Sequence, residues 1–229
     1  MNLKVILATG LVAGVASAHA FQYRTDSGVS QNSIGLTNGG EVAWMQTFTV
    51  TGGNSVITAI ELAFGTTAGS GVTAGTAFDV YVWRGTPTGA GADAPTLLAT
   101  ASSTVGAGIP DTDAFQSVAV NASITGTNNF FIGASMNHAA GVFPASIQQT
   151  DPGGWPILAN SWTAGHASAN GFDPNNLTGG IGLFQNSTIG LGGNYLLRAQ
   201  AQVVPEPATM SALAAALGAL ALRRRKRSL

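Results

Sequence analysis

The residues of this chain whose types could do chemistry fall into three groups: scattered carboxylates, the distant histidines His138 and His166, and a set of aromatic rings. Asp111-Thr112-Asp113 sets two acids in a turn ahead of a strand at Phe115. Calcium takes carboxylate and carbonyl oxygens from such loops, while turn aspartates equally bond their own backbone. Without the EF-hand spacing, Asp111 and Asp113 are weak calcium ligands. Glu41, Glu61 and Asp79 could in principle supply the carboxylate pair of a glycoside hydrolase, but alternation puts them on outward faces of expected strands, where solvated charge belongs. Asp151 and Asp173 each precede proline and read as turn initiators. His138 and His166 lack the close pairing of zinc ligands and read as polar loop residues. Gly69-Ser70-Gly71 lacks the spacing of a nucleophile elbow, and the absence of cysteine removes disulfides, thiolate metal sites and thiol nucleophiles. No catalytic residue, no cofactor and no enzyme activity are expected.

The aromatic residues allow binding rather than catalysis. Asp79, Tyr81 and Trp83 alternate onto one strand face, opposite the expected core. A flat ring there would stack on a sugar while neighbouring acid or amide groups bond hydroxyls, which makes a carbohydrate-binding module one alternative. Packing between layers is the other reading of Trp83, because large aromatics in β-domains are mostly buried. Trp44 lies within an apolar face and is expected in the core.

Charge excludes one partner class. Only 8% of residues are charged, against about 25% in ordinary soluble domains. From Phe21 to Val204 the chain carries three arginines (Arg24, Arg84, Arg198) against nine carboxylates, so nucleic acid is not an expected partner. Low charge with 45% apolar residues and 31 glycines fits an extracellular β-domain with many tight turns, not a solvated disordered chain.

The two ends carry the most specific pattern. Lys4 precedes an apolar run that closes on Ala18-His19-Ala20. This is a secretory signal layout, with residues 1–20 removed after Ala20 by the general secretion machinery. Residues 204–229 contain Pro205, Glu206 and Pro207, then an Ala/Leu-rich stretch over 208–222, then Arg223, Arg224, Arg225, Lys226 and Arg227. As a helix, 208–222 would be roughly 22 Å long, short of a ~30 Å hydrocarbon core. The flanking cations would snorkel and stay in the cytoplasm as a stop signal. An ordinary membrane anchor shares the last two features.

The order Pro-Glu-Pro, short apolar helix, Arg-rich end resembles the PEP-CTERM sorting signal. That resemblance implies recognition of Pro205, Glu206 and Pro207 by an exosortase. It further implies transient anchoring in the inner membrane, removal of the tail, and a secreted or cell-surface product associated with exopolysaccharide and biofilm. The expected role of the body is structural or adhesive. A calcium-stabilised adhesin is a more remote alternative.

Between these ends, residues 21–203 are expected to form one antiparallel β-sandwich, jelly-roll-like and all-β. Period-2 alternation marks strands over 42–50, 55–64, 77–83 and 195–203, and a continuous apolar run marks a central strand over 129–136. Gly- and Pro-rich turns separate them. The segment 141–193 reads as a long loop system carrying one or two strands. The phrases around 78–83, 129–136 and 160–162 also look like sandwich domains found ahead of this sorting tail.

Overall fold

A computed structural model describes residues 20–51, 54–150 and 160–203. The expected signal segment before Ala20, the turn residue Asp151, and the tail from 204 onward, with its motif, apolar stretch and cationic end, lie outside the described residues. The described chain is all-β, and every strand pairing in it is antiparallel.

The strands follow the alternation. In chain order they are β1 (Ala20–Tyr23), β2 (Asn32–Ile34), β3 (Gly40–Thr49), β4 (Asn54–Leu62), β5 (Ala77–Arg84), β6 (Thr96–Thr104) and β7 (Gln116–Ser123). They continue with β8 (Asn129–His138), β9 (Ala145–Gln148), β10 (Ser161–His166), β11 (Gly182–Gln185), β12 (Asn194–Tyr195) and β13 (Leu197–Val203). One sheet has the order β1-β13-β4-β7, a second β11-β10-β3-β8-β5-β6, and a small third β12-β9-β2.

The main core lies between the first two sheets. Ile57, Ile60, Leu62, Val118, Leu197 and Ala199 from one meet Val42, Trp44, Val80, Val82, Phe130 and Ile132 from the other. Each large apolar side chain taken fully from water contributes about 1.5–3 kcal/mol. Ile147 and Tyr195 of the small sheet join the same core. Trp44 is buried there with its ring edge-on to Phe64.

Two expectations change. Among its described residues the segment 141–193 contains three strands, β9, β10 and β11, not one or two. The outer face of the six-stranded sheet is not solvated at its middle, over β3, β8 and β5. Ala43, Met45, Tyr81, Trp83, Phe131 and Ala164 form a second apolar cluster there, capped by Leu177 and packed by Phe172. Both of these cap residues come from the irregular segment 167–181, which lies over the sheet as a roof. Strand β3 is therefore buried on both faces, although its sequence alternates like a half-exposed strand.

Candidate functional site

The roofed face gathers the residues singled out for sugar stacking. Trp83 and Tyr81 stand on β5 with their rings 5.1 Å apart, and Trp83 stacks on Phe131 at 4.7 Å and 11°. Gly133 of β8 makes this approach possible: a Cβ there would lie 3.1 Å from the Trp83 ring and 2.7 Å from Met45. The surface platform expected at Asp79, Tyr81 and Trp83 is corrected by this packing. Trp83 is 1% exposed, and its indole N–H donates to the Pro174 carbonyl of the roof at 2.8 Å. Both the flat face and the polar edge of the ring are occupied within the chain. Asp79 remains half-buried at the margin and accepts from the Ser102 hydroxyl at 2.5 Å.

A buried polar network ties this roof down. Glu41 is 5% exposed, not on a solvated face as its strand position suggests. One carboxylate oxygen accepts from the Ser135 hydroxyl at 2.8 Å, and the other from the Phe172 backbone N–H at 2.9 Å. The Ser135 hydroxyl also meets the Tyr81 hydroxyl at 3.0 Å. Burial pushes Tyr81 up to about 12, the Ser135 hydrogen bond opposes this, and the Asp79 and Glu41 charges add to it. At the rim, Asn137 and Asn170 exchange two hydrogen bonds of 2.6 and 2.7 Å. The roof makes its own turn where Asp173 accepts from the Asn175 N–H at 2.8 Å, so this aspartate caps a turn as its Asp-Pro context suggests. The signal missing from the sequence is the distance between partners: Glu41 and Phe172 are 131 positions apart.

Asp111 and Asp113, the weak calcium ligands, are used as fasteners. Asp111 accepts from both the backbone N–H and the hydroxyl of Ser70. It does so from a left-handed backbone at φ 55, a conformation aspartate tolerates better than most residues. Asp113 accepts from the Ser30 N–H at 2.8 Å. Their carboxylates reach different loops, and among the described residues no group of three or more His, Asp or Glu side chains converges on a metal-sized site. Glu61 accepts from the Gln22 and Gln200 amides at 2.7 and 3.0 Å, on the four-stranded sheet and apart from Glu41 and Asp79. The two histidines end strands β8 and β10 instead of sitting in loops. His138 accepts from the Leu36 N–H at 3.1 Å and His166 from the Ser168 N–H at 3.0 Å. A shallow cavity beside His138, about 200 Å³, is lined by Val72, Thr73, Thr76, Met136 and Val142.

Ala20, the expected signal-cleavage residue, opens β1 and pairs with Gln202 of β13. β13 ends at Val203, immediately ahead of the segment with Pro205, Glu206 and Pro207. Arg198 of β13 holds the buried carboxylate of Asp26, with contacts of 2.5–3.2 Å, and lies 3.8 Å over the Phe115 ring.

Comparison with known proteins adds one specific match. A family model described as the PEP-CTERM protein-sorting motif matches residues 203–226. None of the curated proteins matches the chain. Among solved structures, the chain is similar to the cysteine protease and lectin-like domains of Cwp84, a surface layer associated protein of Clostridium difficile. The identity is 12% and the TM-score 0.41, over 72% of this chain and 33% of that one. A form of the clostridial cysteine protease Cwp84 after propeptide cleavage gives 12% and 0.45, over 81% and 40%. The chain thus spans well under half the length of either structure.

The motif implies an extracellular protein, exported, held in the membrane through its C-terminal segment and then processed by an exosortase. The chain carries a PEP-CTERM protein-sorting motif at residues 203–226.

Proposed function

We propose that the body is a non-enzymatic structural or adhesive element of the cell surface, delivered through its sorting motif into association with exopolysaccharide. The observation that carries this reading is the direct continuity of β13 with the matched motif at 203–226. The last strand of the folded body ends immediately before the tail, so removal of the tail would release the body whole. The fate of the carboxylates supports a structural role. Asp26, Glu41, Asp111 and Asp113 each accept hydrogen bonds that join distant parts of the fold. The exposed positions of β6 and β7 carry Thr96, Thr100, Ser102, Thr104, Ser117 and Asn121. Uncharged hydroxyl and amide surface of this kind exchanges hydrogen bonds with water and sugar hydroxyls at little cost.

Cell fractionation tests the reading. With Pro205, Glu206 and Pro207 all replaced by alanine, the body should stay in the membrane fraction, while the parent appears at the surface or in the medium. Equal distribution of the two would remove the motif from the account.

A further inference from the structure

The bond expected to be cut on export, Ala20–Phe21, is part of a sheet. Ala20 pairs with Gln202, Phe21 with Ala201, Gln22 with Gln200 and Tyr23 with Ala199. Antiparallel neighbours lie about 5 Å apart with their ladder groups engaged. The strand is also fixed by its side chains. The Tyr23 ring is buried edge-on against Phe130 at 4.8 Å, and the Gln22 amide donates to Glu61 at 2.7 Å. Just beyond it, Asp26 is 0% exposed on Arg198. There too the Thr25 carbonyl accepts from the Asn194 amide at 2.7 Å, and the Ser27 N–H donates to Gln148 at 2.6 Å.

A protease acts on a peptide lifted into its cleft. Hydrolysis of Ala20–Phe21 consumes one water, leaving a carboxylate on Ala20 and an amine on Phe21. In the finished sandwich that peptide is held flat against β13, and lifting it breaks the contacts just described. Most of the partners that hold this N-terminal strap come late in the chain. β13, its ladder partner, is the last strand of the described body, and Asp26 and Arg198 are 172 positions apart. A chain emerging N-terminus first therefore presents residues 18–23 bare until the body is nearly complete.

We propose that hydrolysis after Ala20 must come before β1 closes on β13, so that the completed sheet shields its own processing bond. The proposal rests on the export reading given above. It adds an order: signal removal, closure of β1, then action on the tail that follows β13. A precursor that folds first is trapped with its leader attached.

The test uses the full-length precursor in detergent with purified signal peptidase, reading the appearance of a Phe21 amino terminus by mass spectrometry. Precursor diluted from denaturant straight into the enzyme should be cut at least about ten-fold faster than folded precursor, because cleavage of a protected segment follows the population of its open form. Gln22→Pro removes the side-chain amide that donates to Glu61 and sets a proline within β1, and should bring the folded precursor towards the fast rate, with the body still folded by circular dichroism. Equal rates for folded and denatured parent would overturn the proposal. So would a folded Gln22→Pro precursor cut as slowly as the folded parent. Should that variant not fold, the comparison within the parent decides alone. Absence of cutting after Ala20 in either state would instead refute the export reading, and this inference with it.

Discussion

The inner face of the six-stranded sheet meets a second sheet, whereas its outer face meets the irregular segment 167–181. Both are dry. On the inner face, Trp44 and its neighbours interdigitate with side chains from β4, β7 and β13, themselves fixed by continuous ladders. On the outer face, Trp83, Tyr81 and Phe131 are covered by a segment that reaches the sheet through the Phe172 N–H, the Pro174 carbonyl and the Asn170 pair. A sheet-backed face can open only with the whole fold. A roofed face can open locally, because few hydrogen bonds and a small apolar contact hold it. Large rings are buried on both sides, so residue type does not distinguish a core from a covered platform.

The widest separation between the two faces is expected from paired tryptophan truncations. Trp44→Ala should cost about 3–5 kcal/mol of global stability in chemical denaturation, the range for a large buried side chain replaced without collapse. Trp83→Ala should fall at or below about 3 kcal/mol, since the roof can settle into the space, and should raise amide exchange selectively over 167–181. Equal cost with uniform exchange would make the roof part of one cooperative core.

High pH sharpens the same contrast. Tyr195 on the inner side and Tyr81 on the outer side are both pushed up to about 12, in each case first by burial. The unfolded chain ionises these groups near 10 and the folded chain does not, so their stabilising effect is complete below about pH 10 and is lost as pH rises towards 12. Each group should account for about 2–3 kcal/mol of that loss. Tyr81→Phe should remove the outer share, and exchange in the roof should rise before global unfolding in the parent. An unchanged alkaline profile would break the assignment.

Smaller effects are expected from the pins. Glu41→Gln leaves one acceptor for two donors and turns an amide N–H₂ towards Ser135 or Phe172. It should cost about 1–3 kcal/mol and appear chiefly as faster exchange at Phe172. Asn137→Ala removes an exposed pair and should cost under about 1 kcal/mol. A larger loss for Asn137→Ala than for Glu41→Gln would place the hinge of the roof at its rim.

The sequence made the inner face legible and the outer face not. Strands β3, β5 and β8 announce themselves through large residues at period 2 or in a continuous run, and Trp44 sits in the core as its face predicts. β6, with the sequence TLLATASST, offers little contrast between its faces because most of its residues are small. The roof escaped because its function lies in contacts such as Ser135–Glu41 and Phe172–Glu41, between residues 94 and 131 positions apart. Nothing local marks such pairs. Glu41 looked solvated for the same reason: alternation tells which side of a sheet a residue faces, not what covers that side. Asp111 and Asp113 likewise kept an open choice between metal and turn until their partners Ser70 and Ser30 were placed. The sorting motif was legible in full because it is linear: its recognition depends on residue order along 203–226 and not on the packing of distant segments.

The most direct test of the account is the intact mass of the mature protein from its native host, with and without the exosortase. The account predicts a chain that begins at Phe21 and lacks residues 208–229 in the wild type, and one that keeps them when the exosortase is absent. A tail retained in both strains would contradict it and leave a plain membrane-anchored sandwich.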